Sequence, residues 1–209
     1  MKAKETQVYT EEEAILITDF LKEHINIENL GILLAFQTGI RVGELAALKW
    51  SDIDFENKKI YVRKNIVTIY DYEDTERKTR KVNLQASTKT SEGRTIPLIK
   101  SAEDILNSIK SKYQEINLDG FIINNSDKMV HVDTLSDSYT NIAKSAGIEN
   151  PLGIHTLRHT FASLLIKKGV DIKIVSDILG HKDVSFTYNV YVHILEEQKI
   201  QAMNLLDDI

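Results

Sequence analysis

The sequence lacks cysteine and any long apolar run. None of its 209 residues is a cysteine, which excludes disulfides and thiolate metal sites and favours a reducing compartment. Its longest apolar stretches, such as Gly31–Phe36, fall far short of the roughly 20 residues that cross a bilayer. The polar start, Met1–Gln7, has no apolar core and therefore does not resemble a signal peptide. These absences predict a cytoplasmic protein with no membrane partner.

The sequence also lacks an overall positive charge. Its formal net charge is −5, which by itself argues against nucleic-acid binding, because phosphate contacts need Lys and Arg. The charge is unevenly distributed, however. Residues 58–100 hold eleven Lys and Arg against five Asp and Glu, a net charge of +6, and the rest of the chain carries −11. A local positive field is sufficient to dock a polyanion, although a solvated charged hairpin is the alternative interpretation.

Helix and strand signals predict one α+β domain over residues 1–209, mostly helical with a small antiparallel sheet. Thr10–Glu13 has the Thr-x-x-Glu pattern of a capping box and opens a helix to about His24. Further helices are predicted over residues 27–38 and 42–48. β-branched and aromatic residues predict strands at 60–63, 65–70, 80–84 and 94–98.

The second half of the chain is predicted to be helical. Ser101–Asp104 is a capping signal for a helix to about residue 114, and Phe121–Ile123 indicates one short strand. From about residue 133 the pattern predicts helices that are broken near Gly147, Gly169 and Gly180.

The segment Thr38–Leu45 has the features of a phosphate clamp. Gly39 suits the positive φ of a helix C-terminus, so Arg41 begins the next helix, where backbone N–H groups favour anions. Glu44 follows three residues later on the same helical face and can hold the Arg41 guanidinium in place. The alternative is an ordinary surface pair of arginine and glutamate.

A second polar group lies in an apolar helix. The apolar stripe of this helix is formed by Leu157, Phe161, Leu164 and Leu165. His155, Arg158 and His159 cluster on another face, which indicates either a site or simple solvent exposure. His155 and His159 also have the spacing of metal ligands, with His181 as a third. Against a metal, the zinc-protease glutamate is missing and Arg158 would repel a cation.

Three more candidates lie in turns or on the last helix. Gly180 closes a helix and leaves His181 on the following turn. Tyr188 and Tyr191 lie three residues apart on one face of the next helix, where each alone would be a packing aromatic. Lys89 lies in a turn before a strand, and by itself it would be a surface lysine.

Together these segments resemble the catalytic domain of the tyrosine recombinase (phage integrase) family, over about residues 10 to 195. The family's ordered motifs match Arg41 in its T-G-x-R-x-x-E-L box, Lys89 on a hairpin, His155 with Arg158, His181 in L-G-H, and Tyr191. Tyr191 lies ten residues after His181, which is the spacing of the family nucleophile, whereas Tyr188 lies only seven residues after it.

The resemblance implies strand cleavage and rejoining through a covalent 3′-phosphotyrosine, with no metal or cofactor. It implies that Arg41 and Arg158 bind the phosphate, that His181 donates a hydrogen bond and that His155 is the base. Lys89 would protonate the leaving 5′ oxygen, and Glu44 would brace the first arginine. The residues expected to contact the DNA backbone are Lys78, Arg80, Lys81 and Arg94.

The expected partners are double-stranded DNA and other protomers in a synaptic tetramer on DNA, with a monomer in free solution. The family's N-terminal core-binding domain is not found in the sequence, so a fragment or a minimal form is expected. A tail helix over about 194–207 is compatible with packing on a neighbour or on its own domain. An integrase of a phage or conjugative element is favoured. The alternatives are topoisomerase IB-like relaxation, a non-catalytic DNA-binding regulator of the same fold, and a helical protein with a histidine metal site.

Overall fold

The computed structural model describes residues 7–70, 80–86, 93–113, 115–181 and 183–204. Eight α-helices are found in these ranges: α1 Glu11–Glu23, α2 Ile27–Thr38, α3 Val42–Ala47, α4 Lys100–Lys112, α5 Val132–Ser145, α6 Thr156–Lys167, α7 Ile172–Leu179 and α8 Val184–Asn204. A 3₁₀ helix covers Trp50–Asp52. The described helices include none that has the length and apolar character to cross a membrane.

Helix α2 lies at the centre of the fold. Its residues from Leu30 to Phe36 are all buried, and a helix that is apolar on every side needs packing partners all round. The partners are α1, α3, α4 and α6. The capping box of α1 forms as predicted, because Thr10 Oγ1 accepts from the Glu13 N–H while the Glu13 carboxylate accepts from the Thr10 N–H.

Two small antiparallel sheets follow α3. The strands are β1 Ile53–Asp54, β2 Lys59–Val62, β3 Lys64–Tyr70, β4 Arg80–Ala86 and β5 Arg94–Pro97. One sheet has the order β1-β2-β5, with Ile60 opposite Ile96, and the other is the β3-β4 hairpin, with Ile66 opposite Leu84. The predicted mostly helical fold with small antiparallel strands is confirmed.

A second, smaller apolar cluster joins α6, α7 and α8. Its buried members are Ala162, Ile166, Val175, Leu179, Tyr191 and Ile194. Of the predicted α6 stripe, Leu157 is fully buried, whereas Phe161 and Leu164 are only partly buried. The helix therefore buries two faces, one against the main core and one against α7 and α8.

Some local predictions differ from the structure. Helix α4 begins at Lys100 after Ile99, without a side-chain cap, so the predicted cap at Ser101 is wrong. Phe121–Ile123 forms isolated bridges and a turn instead of a strand. In the tail, Ile200 and Met203 are each 64% exposed in the single chain.

Candidate active site

The C-terminal ends of α2 and α7 frame the site. Both helices end at a glycine with positive φ, 62° at Gly39 and 69° at Gly180. Helix ends leave carbonyl groups without partners inside the helix, and the partial negative charge there favours cations. The carbonyl oxygens of Gly39, Ile178 and Leu179 accept hydrogen bonds from arginine side chains. The two helix ends therefore hold guanidinium groups in fixed positions.

Arg158, on α6, joins these two helix ends. Its Nη1 donates to the Gly39 carbonyl oxygen at 2.8 Å, and its Nη2 donates to the Leu179 carbonyl oxygen at 2.7 Å. Burial, followed by the charges of Arg41 and Arg94, lowers its pKa to about 9. The guanidinium therefore stays protonated at neutral pH and is fixed by its carbonyl partners.

Glu44, on α3, places a buried negative charge among the arginines. Its side chain is 2% exposed, and its two carboxylate oxygens accept from Nη1 and Nη2 of Arg94, each at 2.8 Å. The same oxygens accept from Nη1 and the backbone N–H of Arg41, each at 3.0 Å. Burial acts to raise the pKa of Glu44, but Arg94 and Arg41 outweigh it and lower the pKa to about 2. One carboxylate thus orients two guanidinium groups.

The two arginines bound to Glu44 differ in their surroundings. The Arg41 side chain is 44% exposed and presents its guanidinium to solvent, whereas Arg94 is only 13% exposed. Arg94 Nε also donates to the Ile178 carbonyl oxygen at 2.9 Å. A Cβ on Gly180 would lie 2.6 Å from Arg94 Cδ. Glycine at this position therefore both ends α7 and makes room for the Arg94 side chain.

His181 lies on the turn after α7, against Arg158. Its Nε2 is 2.8 Å from Arg158 Nη2, and its Nδ1 is 2.7 Å from Thr187 Oγ1. Burial, followed by the nearby arginine charges, lowers the pKa of His181 to about 4, so the ring is neutral at pH 7. Because a guanidinium only donates, Nε2 accepts from Arg158 and the ring proton resides on Nδ1, which donates to Thr187.

Tyr191 is buried at a kink in α8. Its backbone, with φ −115° and ψ 16°, interrupts the helix, and its side chain is 2% exposed within the α6–α8 cluster. Its hydroxyl oxygen lies 3.0 Å from Nδ1 of His159 on α6. Burial raises the pKa of Tyr191, and the charge of Arg158 only partly opposes this. The hydroxyl is therefore protonated at neutral pH and must lose its proton before the oxygen can attack.

His155, the residue predicted as the base, is exposed, and the hydrogen bond to the Tyr191 hydroxyl is made by His159. His155 precedes α6. Its ring centroid is 6.4 Å from that of His159, with the two rings at 88°. The polar triplet of the sequence is thus divided, with Arg158 buried at the helix ends, His155 facing solvent and His159 facing Tyr191.

The two tyrosines of α8, predicted on one face, have opposite environments. Tyr188 is 40% exposed and Tyr191 is 2% exposed. Residues three apart on a helix differ by about 60° around its axis, and here the edge of the buried face falls between them. Tyr191 is therefore the tyrosine that reaches the site.

The residues expected to contact DNA are placed differently from one another. Lys81 is exposed on β4, and Arg80 begins the same strand. Arg94 points inward and binds a buried carboxylate with both Nη groups, so the structure gives it a place inside the site instead of on a DNA-facing surface. Lys78 and Lys89 lie outside the described residues, so their expected roles stay predictions.

Three contacts of the site were not predicted from the sequence. Arg94 reaches Glu44 across 50 residues of chain, so only tertiary folding joins them. Thr187 is fully buried and accepts from His181, and nothing in its sequence context distinguishes it. His159 was part of the predicted polar face, but its sequence gives no sign that it faces the tyrosine.

The alternative of a histidine metal site is not formed by the described residues. Among them, no group of three or more His, Asp or Glu side chains is arranged to hold a metal ion. Two of the three histidines of that alternative use their nitrogens otherwise. His181 bonds to Arg158 and Thr187, while His159 Nδ1 bonds to the tyrosine hydroxyl.

Comparison with known proteins gives a family match over most of the chain. The model of the phage integrase family matches residues 7–198. A tyrosine recombinase XerC-like protein of Caldanaerobacter subterraneus is 35% identical over 219 aligned positions, which cover 98% of this chain and 55% of that protein. The chain spans about half the length of the curated relatives it matches, between 53% and 60% for three of them.

Solved structures share the fold. XerA recombinase superposes with a TM-score of 0.71 at 23% identity, covering 97% of this chain and 65% of that one. The Tn1549 transposon integrase in complex with transposon right end DNA gives a TM-score of 0.67 at 21% identity, covering 99% of this chain and 68% of that one. The family match includes every site residue described above. The chain therefore belongs to the phage integrase family and has the fold of its tyrosine recombinases.

Proposed function

We propose that this chain is the catalytic domain of an enzyme that cuts and rejoins DNA strands in site-specific recombination, with Tyr191 as the nucleophile. The observation that carries the proposal is the buried hydroxyl of Tyr191 beside a cluster of fixed arginine and histidine side chains. A tyrosine that served only for packing would not need these neighbours. Membership of the phage integrase family supports the same reaction.

The arginines suit the charge that the reaction develops. Attack on a phosphodiester increases negative charge on the non-bridging oxygens, which fixed donors stabilise without reorganisation. Arg41 is braced by Glu44 through one Nη group and remains 44% exposed, so its other N–H groups are open to a phosphate. Three of the five N–H groups of Arg158 bind Gly39, Leu179 and His181. The other two have no hydrogen-bond partner among the described residues, and we propose that they bind the phosphate.

The covalent step uses the tyrosine oxygen directly. By the family resemblance, His155 takes the proton of the Tyr191 hydroxyl. Tyr191 Oη forms a bond to phosphorus as the bond from phosphorus to the 5′ oxygen breaks, which gives a 3′-phosphotyrosine and a 5′ hydroxyl. By the family resemblance, Lys89 protonates the leaving oxygen. The bond to tyrosine replaces the broken phosphoester bond and keeps its energy in the adduct, so rejoining needs no ATP. The guanidinium charges act where other phosphoryl-transfer sites use a metal ion.

The substrate and partners follow from the same proposal. The substrate is double-stranded DNA, drawn by the basic segment 58–100 despite the overall charge of −5. The Tn1549 integrase, which shares the fold, is described in complex with DNA. Recombination also needs further protomers, which assemble on DNA in a synaptic complex. In the absence of DNA, the protein is proposed to be a monomer in the cytoplasm. An integrase of a phage or conjugative element fits this scheme.

A covalent-trapping experiment tests the proposal. The full protein encoded by the gene would be mixed with nicked suicide half-sites from the ends of its genetic element and run on denaturing gels. We expect a protein–DNA band from wild type and from Tyr188→Phe, the exposed matched control, and no band from Tyr191→Phe.

The other outcomes are equally informative. Loss of the band in Tyr188→Phe alone would move the nucleophile to that residue. No band from a protein that binds the same DNA would support a non-catalytic regulator. A band without exchange between two duplexes, together with relaxation of supercoils, would support the topoisomerase-like alternative.

A further inference from the structure

Tyr9 binds the turn that leads into His155. The Tyr9 hydroxyl accepts from the Leu152 N–H at 2.6 Å and donates to the Leu152 carbonyl oxygen at 3.3 Å. Leu152 lies three residues before His155 in the sequence. We propose that Tyr9 is a positioning residue, which holds the His155 ring where it can take the proton of the Tyr191 hydroxyl. This inference rests on the function proposed above and adds a residue that supports its base.

Tyr9 is itself fixed at both its backbone and its side chain. The residue is 3% exposed and belongs to the main apolar core. Its backbone N–H donates at 3.1 Å to Oγ1 of Thr160, which is fully buried on α6, five residues after His155. Burial raises the pKa of Tyr9, so its hydroxyl is protonated and can both accept and donate. Tyr9 therefore ties the turn before α6 to α6 itself, and His155 lies between the two points of attachment.

The turn connects Tyr9 to the histidine ring by a short path. The Gly153 carbonyl oxygen accepts from the Thr156 N–H at 2.8 Å, which joins the turn to the first residue of α6. A Cβ on Gly153 would lie 2.8 Å from Cε1 and 3.0 Å from Nδ1 of His155. The ring therefore packs against the Gly153 backbone, and the position of the turn sets the position of the ring. Because Leu152 adjoins Gly153, its hydrogen bonds to Tyr9 restrain this part of the turn.

His155 needs such a restraint because its side chain is exposed. A general base must lie within hydrogen-bond reach of the proton that it takes. A misplacement of about 1 Å can slow an enzymatic reaction by about 100-fold. Phenylalanine at position 9 would keep an aromatic ring in the core but could not bind Leu152, so the hydroxyl is the group that the inference depends on.

A double-mutant cycle in the full protein tests the inference. The measurement is single-turnover cleavage of the nicked suicide half-sites at saturating DNA. We expect Tyr9→Phe, which removes only the hydroxyl, to slow cleavage by about 10-fold or more, with the dissociation constant for the half-site within about twofold of wild type. In the His155→Gln background, Tyr9→Phe should slow cleavage by no more than about twofold, because the residue that it positions is gone.

Two companion variants separate the position of the ring from the stability of the fold. Gly153→Ala directs a new Cβ at the His155 ring, so it should slow cleavage at saturating DNA as Tyr9→Phe does. Ile109→Val is the control for stability, since Ile109 is fully buried on α4, which packs on α2. It should destabilise the core and still cleave within about twofold of the wild-type rate.

A second measurement needs no DNA. In hydrogen-exchange NMR of wild type, the Leu152 amide should exchange at least about 100-fold more slowly than an unprotected amide. Tyr9→Phe should remove most of this protection and shift the signals of the His155 ring, whereas Ile109→Val should leave those signals in place. A wild-type Leu152 amide that exchanges like an unprotected one would overturn the inference even if Tyr9→Phe failed to fold.

The results tell the two proposals apart. If Tyr9→Phe cleaves like wild type, or slows His155→Gln as much as it slows wild type, Tyr9 does not act through His155 and only this inference fails. The same holds if His155→Gln cleaves like wild type, since Tyr9 would then have no base to position. If wild type forms no adduct on DNA that it binds, the proposed function itself fails, and this inference fails with it.

Discussion

Replacing Glu44 with glutamine is expected to destabilise the protein by about 3 kcal/mol. The carboxylate is 2% exposed and bonded to two guanidinium groups, which lower its pKa from 4.5 to about 2. That difference corresponds to about 3 kcal/mol in favour of the ionised form in the folded state. Removing one partner of a buried ion pair costs a similar amount, about 3–5 kcal/mol, because the other charge is left without compensation. In Glu44→Gln, the uncompensated charges are those of Arg94 and Arg41.

The pH dependence of this contribution has a fixed sign. The folded-state pKa of Glu44 is lower than the unfolded-state value, so the unfolded chain binds the proton first as the pH falls. The stabilisation is therefore fully present above pH 4.5 and is lost as the pH falls towards 2. Wild type should lose about 3 kcal/mol more than Glu44→Gln between these limits.

Urea unfolding at several pH values measures both effects. Trp50 is the only tryptophan of the chain and is 2% exposed, so its fluorescence reports global unfolding. Glu44→Gln with Arg94→Met is the matched double variant, and it should be more stable than Glu44→Gln because one uncompensated charge is gone. A loss below about 1 kcal/mol at pH 7, or parallel pH profiles for wild type and Glu44→Gln, would refute the reasoning.

Two further predictions concern the frame of the site. Gly39→Ala should lower the free energy of unfolding by about 2 kcal/mol or more, because φ is +62° and the new Cβ would lie 2.5 Å from the Phe161 ring. Gly147→Ala, at φ +94° with no described atom within 4 Å, should cost only about 1 kcal/mol; equal losses in urea unfolding would contradict this. Thr187→Val removes the buried acceptor of His181 Nδ1 and should cost about 1–3 kcal/mol. It should also move the His181 signals in ¹⁵N NMR, whereas Thr187→Ser should leave them in place.

The helices of this protein were predictable where their signals are local. The capping box at Thr10 and the glycine at the end of α2 act within a few residues of chain, and both form as predicted. Such signals depend on backbone groups that every helix end must satisfy. They therefore remain valid whatever the surrounding fold.

The strand prediction at Phe121–Ile123 was wrong because contacts between residues far apart in the sequence determine the structure there. Phe121 bridges to Lys49, and its N–H donates to the Ser126 carbonyl oxygen, so the short apolar segment turns back on itself. Asn125 has a positive φ of 51° in that turn. An apolar triplet does not reveal such a partner, and tertiary contacts override its strand propensity.

In the site, too, features that depend on local sequence were predictable, whereas those that depend on tertiary packing were not. Arg41 and His181 were predicted because each follows a glycine that ends a helix, and Tyr191 was predicted because it lies ten residues after His181, as in the family it resembles. Which histidine of α6 faces the tyrosine depends on how α6 is rotated against α8, and residues four apart share a helical face. That rotation is set by the packing of Leu179, Ile194 and their neighbours, so it could not be read from the spacing of the histidines.

The arrangement of charge is compatible with the DNA binding proposed for this acidic chain. Burial and then the charges of Arg41 and Arg94 lower the pKa of Arg158, which means that these guanidinium groups repel one another. Glu44 binds two of them and helix-end carbonyls bind the third. A phosphate between Arg41 and Arg158 would turn part of this repulsion into attraction, because each positive charge would then have a negative partner. An anion would therefore stabilise the site, and in the proposed binding of DNA this local field would have more influence than the net charge of −5.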